Sequence, residues 1–409
     1  IKAIINGNNL KYEKLMALHH NLRGLKRSLK SKRGFYTYLH RNRFMKSEID
    51  DKLVIFESFQ GKSYSCNPKY IYEYLINNYP EYKCVWIYRD RPLDIKGNPK
   101  QIKRFSLKYY YYMAKAKYWV FNVRVPKHVR KRDECIQLQT WHGTPLKKLF
   151  FDLKDIYSAN PNIKRDFFVQ SRRWDYLISP NRYSTEIFKR AFKYEKEMLE
   201  FGYPRNDILY NSDPTDVEVI KEKLKIPKDK KVILYAPTWR DDQFYESGKY
   251  KFELELDLKK MRESVSDEYI IILRLHYHVA SVLDVSEYEG FAFDFSSYDD
   301  IAELYLISDL LITDYSSVFF DYANLRRPML FFTYDLEHYR DKIRGLYFDI
   351  ESEVPGPLLK TTDEVIEAIK NIDRVQEQYK LRYNEFYQKF CEWDDGKASE
   401  NIVKEVFIK

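Results

Sequence analysis

The sequence predicts an α/β protein built from two parallel-sheet domains, and three observations carry that prediction. A chain of 409 residues exceeds one ordinary hydrophobic core. Short apolar, β-rich runs alternate with helical patterns, which means parallel strands with helices on both sheet faces. The alternation breaks once, at polar residues 207–230 with Pro214 and Pro227, which read as the crossing into the second domain.

The chain opens on a basic segment, residues 1–50. No acid occurs from Leu15 to Lys46, where Arg23, Lys26, Arg27, Lys30, Lys32, Arg33, Arg41, Arg43 and Lys46 all stand. Leu22, Leu25 and Leu29 fall at helical spacing, and Phe35, Tyr36, Tyr38, Leu39 and Phe44 follow. A cationic amphipathic segment of this kind can lie in an anionic membrane interface, each basic residue contributing roughly 1 kcal/mol. A solvated basic helix or a nucleic-acid arm has the same composition.

Strands are expected next at 53–56, 82–88, 118–122 and 137–141, with helices at about 68–78 and 106–116. Gly61-Lys62-Ser63 lacks the earlier glycine of a P-loop and is not one. Trp141-His142-Gly143-Thr144-Pro145-Leu146 follows directly on a strand, where ligands bind in open parallel sheets. His142 can exchange a proton near neutral pH, and Gly143 lets a substrate approach the backbone. A strand ending at 176–180 and a helix from Asn181 lead to the Gly202-Tyr203-Pro204 turn, where Arg205 could fork a phosphate.

The second domain opens with a strand from Lys231 that runs into Pro237-Thr238-Trp239-Arg240. Asp241 and Asp242 read as exposed loop acids, because adjacent side chains in extended chain point apart. A strand at 269–273 continues into Arg274, Leu275, His276, Tyr277 and His278. Alternation puts Arg274, His276 and His278 on one side. A zinc pair is the alternative there, without a third ligand nearby. A strand at 292–295 and a helix at about 300–307 precede the apolar run Leu310-Leu311-Ile312. That run ends in Thr313-Asp314-Tyr315-Ser316-Ser317 and then resumes helical spacing. A strand that breaks into hydroxyls and opens a helix suits an anion; a plain serine N-cap is the alternative. A strand at 328–332, a helix at 362–372 and C-terminal helices broken near 394–397 complete the chain.

Composition narrows the partner. Net charge +9 favours an anionic one, and 37 Tyr suit half-wet interfaces such as saccharide or lipid boundaries. Cys66, Cys84, Cys135 and Cys391 show neither metal spacing nor a disulfide framework, so a reducing, cytoplasmic setting is expected. No run approaches the roughly 18 apolar residues of a membrane span. The chain begins at Ile1 rather than Met, as a fragment would.

Five ordered motifs now stand together: Thr140–Pro145, Gly202–Asp207, Tyr235–Arg240, Leu273–His276 and Ile312–Ser317. With them the chain resembles the CDP-glycerol glycerophosphotransferases, the teichoic acid primases and polymerases of Gram-positive bacteria, over about residues 50–375. The resemblance implies a glycosyltransferase-B-like fold, with two Rossmann-like domains facing across a cleft. The acceptor domain would span 51–206 and the CDP-polyol-binding domain 207–375, with C-terminal helices at 376–409. It also implies peripheral, monotopic attachment to the cytoplasmic face of the cell membrane, which favours the membrane reading of residues 1–50.

Carried over by position, His142 would be the essential histidine, with Gly143, Thr144, Pro145 and Leu146 lining the donor pocket. Pro237 and Thr238 would lie near the cytidine. Arg274, His276, Thr313, Ser316 and Ser317 would hold the pyrophosphate, Leu275 would belong to the same binding set, and Asp321 would flank the nucleotide. Arg205 would reach the phosphates from the domain junction. Tyr277 replaces the proline usual after the second histidine.

The implied reaction moves glycerol phosphate or ribitol phosphate from a CDP-polyol to the terminal hydroxyl of a lipid-linked polyol-phosphate chain, releasing CMP, in wall teichoic acid synthesis. In-line attack on the β-phosphorus needs mainly positioning and charge stabilisation. No cofactor is expected, and metal independence is expected for want of a carboxylate pair. Self-association is left open, and the missing start favours a polymerase's catalytic portion. One rival is a nucleotide-sugar-dependent glycosyltransferase of the same fold acting on a cell-surface polymer. Another is a basic nucleic-acid-binding module, for which no stacking or groove-reading motif is present.

Overall fold

The computed structural model describes residues 31–153, 162–238, 254–275, 284–339 and 345–408, with the backbone of a short hairpin between. Residues 1–30, Trp239 to Asp242, and His276 to His278 lie outside the described residues, and with them most of the basic segment and both candidate zinc ligands.

The first sheet comprises β1 (Asp50–Glu57), β2 (Lys83–Tyr88), β3 (Lys100–Lys103), β4 (Ala116–Phe121), β5 (Ile136–Gln139), β6 (Tyr176–Ile178) and β7 (Glu197–Leu199). Its seven strands run in the order β3-β2-β1-β4-β5-β6-β7, every pair parallel. Helices cover both faces, so central strands such as Val54-Ile55-Phe56 are apolar on both sides and fully buried. β3 and β7 escape a pattern reading: Lys100-Gln101-Ile102-Lys103 is an edge strand with one buried residue, too polar to register as a strand.

The second sheet comprises β8 (Lys231–Ala236), β11 (Tyr269–Leu273), β12 (Ala292–Asp294), β13 (Leu310–Thr313), β14 (Met329–Phe332) and β15 (Leu358–Leu359), the intervening hairpin being β9 (Phe244–Glu246) and β10 (Lys249–Tyr250). Its order is β12-β11-β8-β13-β14-β15, again parallel throughout. The crossing at 207–230 is more ordered than its composition suggests. It holds helices Asp207–Asn211 and Pro214–Lys223, the latter closed by a capping box between Asp213 and Asp216.

Strand order reverses between β1 and β4 in the first sheet and between β8 and β13 in the second, and crevices at such switch points take ligands. Several contacts among the described residues tie the two domains together. Lys69 of the helix Cys66–Asn78 reaches Asp300 (2.7 Å) and Glu303 (2.9 Å) of the second domain, and Tyr70 also donates to Asp300 (2.8 Å). Lys147 pairs with Leu346 as an isolated antiparallel bridge. Arg205 meets Asp321.

The chain finally returns to the first domain. After the long helix Ile372–Phe390, Trp393 and Asp394 pack over Gly202, where a Cβ would lie 2.5 Å from Asp394 Oδ1 and the φ of +82° suits glycine. The helix Ala398–Phe407 then places Ile402, Val403, Val406 and Phe407 in the first domain's core beside Val54, Phe56 and Tyr72. Among the described residues, no helix is long and apolar enough to cross a membrane.

Candidate active site

The first half of the site is the loop after β5. Trp141 takes a left-handed backbone, φ +53°, an uncommon state for a bulky residue that surrounding contacts must hold. Asn67 supplies them: its Nδ2 donates to the carbonyls of Thr140 (3.1 Å) and Trp141 (3.4 Å). The turn lays the Trp141 indole on the His142 imidazole, and Phe59 meets the same imidazole edge-on. His142 Nδ1 lies 2.7 Å from the Asn122 carbonyl. A carbonyl can only accept, so Nδ1 carries the proton and Nε2 is left with a lone pair. Burial, with a smaller contribution from the nearby Arg205 cation, pushes this imidazole down to about 4. At pH 7 it is neutral and able to take a proton.

The second half is built on the ends of β8, β11 and β13. Thr313 Oγ1 donates to the Ala236 carbonyl (2.7 Å), pinning β13 to β8. Asp314 accepts from Thr238 N at 2.7 Å, so the loops after β8 and β13 form one rigid edge. Tyr315 stacks on Tyr339 with centroids 3.8 Å apart. Ser316 and Ser317 come next, and among the described residues neither hydroxyl is spent on a protein partner; Ser317 does not cap its helix with its side chain. Arg274 holds the carbonyls of Phe295 and Ser296 through Nη1, each at 2.8 Å. Burial lowers its pKa, yet a guanidinium stays charged, and Arg274 makes no ion pair among the described residues.

The halves meet around one cavity of ≈ 480 Å³, lined by His142, Gly143, Thr144, Pro145 and Leu146 from the first domain and by Pro237, Thr238, Arg274, Leu275, Ser316 and Ser317 from the second. The contact between them is close: a Cβ on Gly143 would sit 3.2 Å from Ser317 Oγ.

Three expected ligands stand elsewhere. Thr313 is fully buried behind the β8–β13 edge. Arg205 and Asp321 form a buried pair behind the wall, Arg205 Nη2 to Asp321 Oδ2 at 2.6 Å, and neither lines the cavity. His276 lies outside the described residues. The helix after Ser317, Val318–Tyr322, has only five residues. Its dipole is correspondingly small, which moves the burden of holding an anion to the hydroxyls and cations.

Lys147, Lys148, Tyr315 and Ile301 also line the cavity. The lysine pair was readable, since two cations directly after a Gly-Thr-Pro-Leu turn suit an anionic ligand. The tie between Asp314 and Thr238 was not, because it joins residues far apart in sequence.

Comparison with known proteins then decides the family. The family model described as CDP-Glycerol:Poly(glycerophosphate) glycerophosphotransferase matches residues 38–408. The chain belongs to this family. It is 53% identical over 393 residues to the teichoic acid poly(glycerol phosphate) polymerase of Bacillus subtilis (strain 168), covering 94% of this chain and 52% of that protein. The chain therefore spans about half the length of that relative. A more distant relative, the teichoic acid poly(ribitol-phosphate) polymerase of Bacillus spizizenii (strain ATCC 23059 / NRRL B-14472 / W23), is 30% identical over 367 residues, covering 88% of this chain and 56% of that protein. Among solved structures, the wall teichoic acid polymerase TagF superposes with a TM-score of 0.86 at 44% identity, covering 97% of each chain. The motif resemblance and the glycosyltransferase-B-like pair of parallel sheets are thus the family's own.

Proposed function

We propose that this glycerophosphotransferase-family chain moves glycerol phosphate from CDP-glycerol to the terminal hydroxyl of a lipid-linked polyol-phosphate chain, in wall teichoic acid synthesis. The acceptor oxygen attacks the β-phosphorus, the new O–P bond forms as the bond to CMP breaks, and His142 Nε2 takes the hydroxyl proton. Arg274, the Ser316 and Ser317 hydroxyls and the Lys147–Lys148 rim oppose the charge on the phosphoryl oxygens. Pro237 and Thr238 lie beside the cytidine, and His276, by its motif, joins the pyrophosphate grip. The observation that carries the reading is the shared cavity, with a neutral histidine on one wall and uncommitted hydroxyls and a cation on the other.

Glycerol is favoured over ribitol because identity is 53% to the glycerol-phosphate polymerase and 30% to the ribitol-phosphate one. The test is CMP release by purified protein with a lipid-linked acceptor and CDP-glycerol, CDP-ribitol or a UDP-sugar, followed by sizing of the product. Release from CDP-glycerol with products that lengthen in time supports the reading. Turnover of the UDP-sugar alone would replace it with the glycosyltransferase rival.

Peripheral attachment to the cytoplasmic membrane face belongs to the same proposal. The helix Lys32–Asn42 packs on the helix Leu107–Lys115 through Tyr36 and Tyr110. Phe35, Tyr38, Leu107 and Tyr111 stay exposed on these two helices. Lys32, Arg41, Arg43, Lys46 and Lys108 are exposed on the same segments. Exposed apolar side chains and cations on the same segments suit an anionic bilayer.

A further inference from the structure

We infer that Arg205 and Asp321 are positioning residues: their ion pair is a strut that fixes the gap between the His142 loop and the Ser316–Ser317 loop, and neither side chain is a ligand of the donor. The inference deepens the proposed function and rests on it.

The geometry is that of a brace. Arg205 sits in the turn Pro204–Asn206 of the first domain, and Asp321 in the helix that begins directly after Ser317 in the second. Arg205 Nη1 donates to the His142 carbonyl at 2.8 Å, and Nη2 to Asp321 Oδ2 at 2.6 Å. One guanidinium therefore holds the histidine's own peptide with one arm and the serine helix with the other. The backbone of Arg205 is itself anchored, its N–H donating to Asn67 Oδ1 at 3.1 Å. Asn67 is the residue that holds the carbonyls of Thr140 and Trp141. Tyr203, whose ring lies under the Arg205 guanidinium, donates to the Gly143 carbonyl at 3.2 Å. Four consecutive carbonyls, Thr140 to Gly143, are thus held by Asn67, Tyr203 and Arg205.

The pair is unsuited to binding substrate directly. Arg205 is 8% exposed and Asp321 4%. Both terminal nitrogens are committed to protein partners, and neither residue lines the cavity. Parting the two loops would break the direct 2.6 Å contact between oppositely charged groups, so the pair resists their separation. Gly143, against Ser317 Oγ, marks how narrow the resulting gap is.

The test uses the full chain in three variants: Arg205→Lys, Asp321→Asn and the double variant. Arg205→Lys keeps the charge but cannot reach both partners; should it fail to fold, Asp321→Asn, which keeps shape, is read in its place. The expected result is a loss in kcat of a hundredfold or more, with the Kd for CMP within threefold of the parent. The double variant should lose no more than threefold beyond either single one, because both act through one contact. Hydrogen exchange of the unliganded protein should rise in the His142–Thr144 and Ser316–Val318 segments together. A tenfold or greater rise in KM for CDP-glycerol with kcat retained would overturn the strut and make the pair donor ligands. Additive losses, or unchanged exchange in both segments, would also overturn it. If the parent protein does not turn over CDP-glycerol, the proposed function fails, while the exchange measurement still judges the strut.

Discussion

The imidazole of His142 lies over the indole of Trp141, with ring centroids 4.5 Å apart and planes 28° from parallel. This stacking buries one face of the base, while Asn122 fixes its tautomer. His142→Ala should lower kcat by about 10²–10⁴-fold while leaving CMP affinity nearly intact. The pH profile carries a second signature. The imidazole's pKa is lowered to about 4, so the acidic limb of kcat/KM should fall well below the usual 6.5. The limb of kcat should lie higher, since a bound pyrophosphate favours the imidazolium. Both limbs near 6.5 would argue against the buried base.

Arg274→Gln should act on binding. The side chain is a half-buried cation in the cavity wall, oriented by the Phe295 and Ser296 carbonyls. Losing a charged hydrogen-bonding partner costs about 1.5–3 kcal/mol, or a roughly 10–100-fold rise in KM for CDP-glycerol. Initial-rate kinetics at saturating acceptor read this directly.

Lys69 is a structural cation rather than a functional one. Lys69→Met would leave Asp300 and Glu303 close together and without their buried counter-ion. Breaking such a pair costs about 3–5 kcal/mol, visible as a lower denaturant midpoint. A change under about 1 kcal/mol would show the carboxylates re-solvating from the groove beside them.

Asp394 gives stability a pH dependence of definite sign. Burial raises its carboxyl to about 7, against the hydrogen bonds from Tyr203, Asn206 and Asn324. The folded state then holds a proton that the unfolded chain has lost, across the window from about 4 to 7. Its contribution is full below the unfolded value and is lost as pH rises through 7, by at most ~1.4 kcal/mol per pH unit. His142 and His128, both lowered to about 4, work the opposite way between 4 and 6.5. Denaturant melts of the parent and of Asp394→Asn at pH 5 and pH 7.5 separate the two. The parent's advantage over the variant should shrink at the higher pH.

The patch on the helices Lys32–Asn42 and Leu107–Lys115 predicts vesicle binding. Phe35→Glu combined with Tyr111→Glu should weaken binding to vesicles containing anionic lipid by more than about tenfold, since each aromatic buried is worth about 1.5–3 kcal/mol. Co-sedimentation measures it, and binding should fall further as salt is raised. Unaltered binding would assign the bilayer contact to other residues.

Much of the scaffold was legible because buried parallel strands advertise themselves. Runs such as Tyr269–Leu273 are apolar at every position, and the structure buries all five residues. The loops at their ends follow from topology, so His142, Gly143, Arg274 and Ser316–Ser317 could be nominated from residue type and position, while Pro237 entered through the family resemblance. The buried partners of Arg205, Thr313 and Asp321 were not legible. An arginine beside a phosphate site and an arginine braced against an aspartate more than a hundred positions away look alike in sequence; only burial and partner tell them apart. Short or polar edge strands such as β3 and β7 went unseen for a different reason, since their pairing comes from the neighbouring strand rather than from their own composition.

The return of the helix Ala398–Phe407 to the first domain bears on the order of assembly. Phe407 packs on Tyr82 and Tyr118, and Asp207 caps the helix by accepting from Ala398 and Ser399. A ribosome releases that helix hundreds of residues after β1. Until then, Val54, Phe56 and Tyr72 lack part of their cover, so the first of the two sheets gains its full packing only after the second has been synthesised.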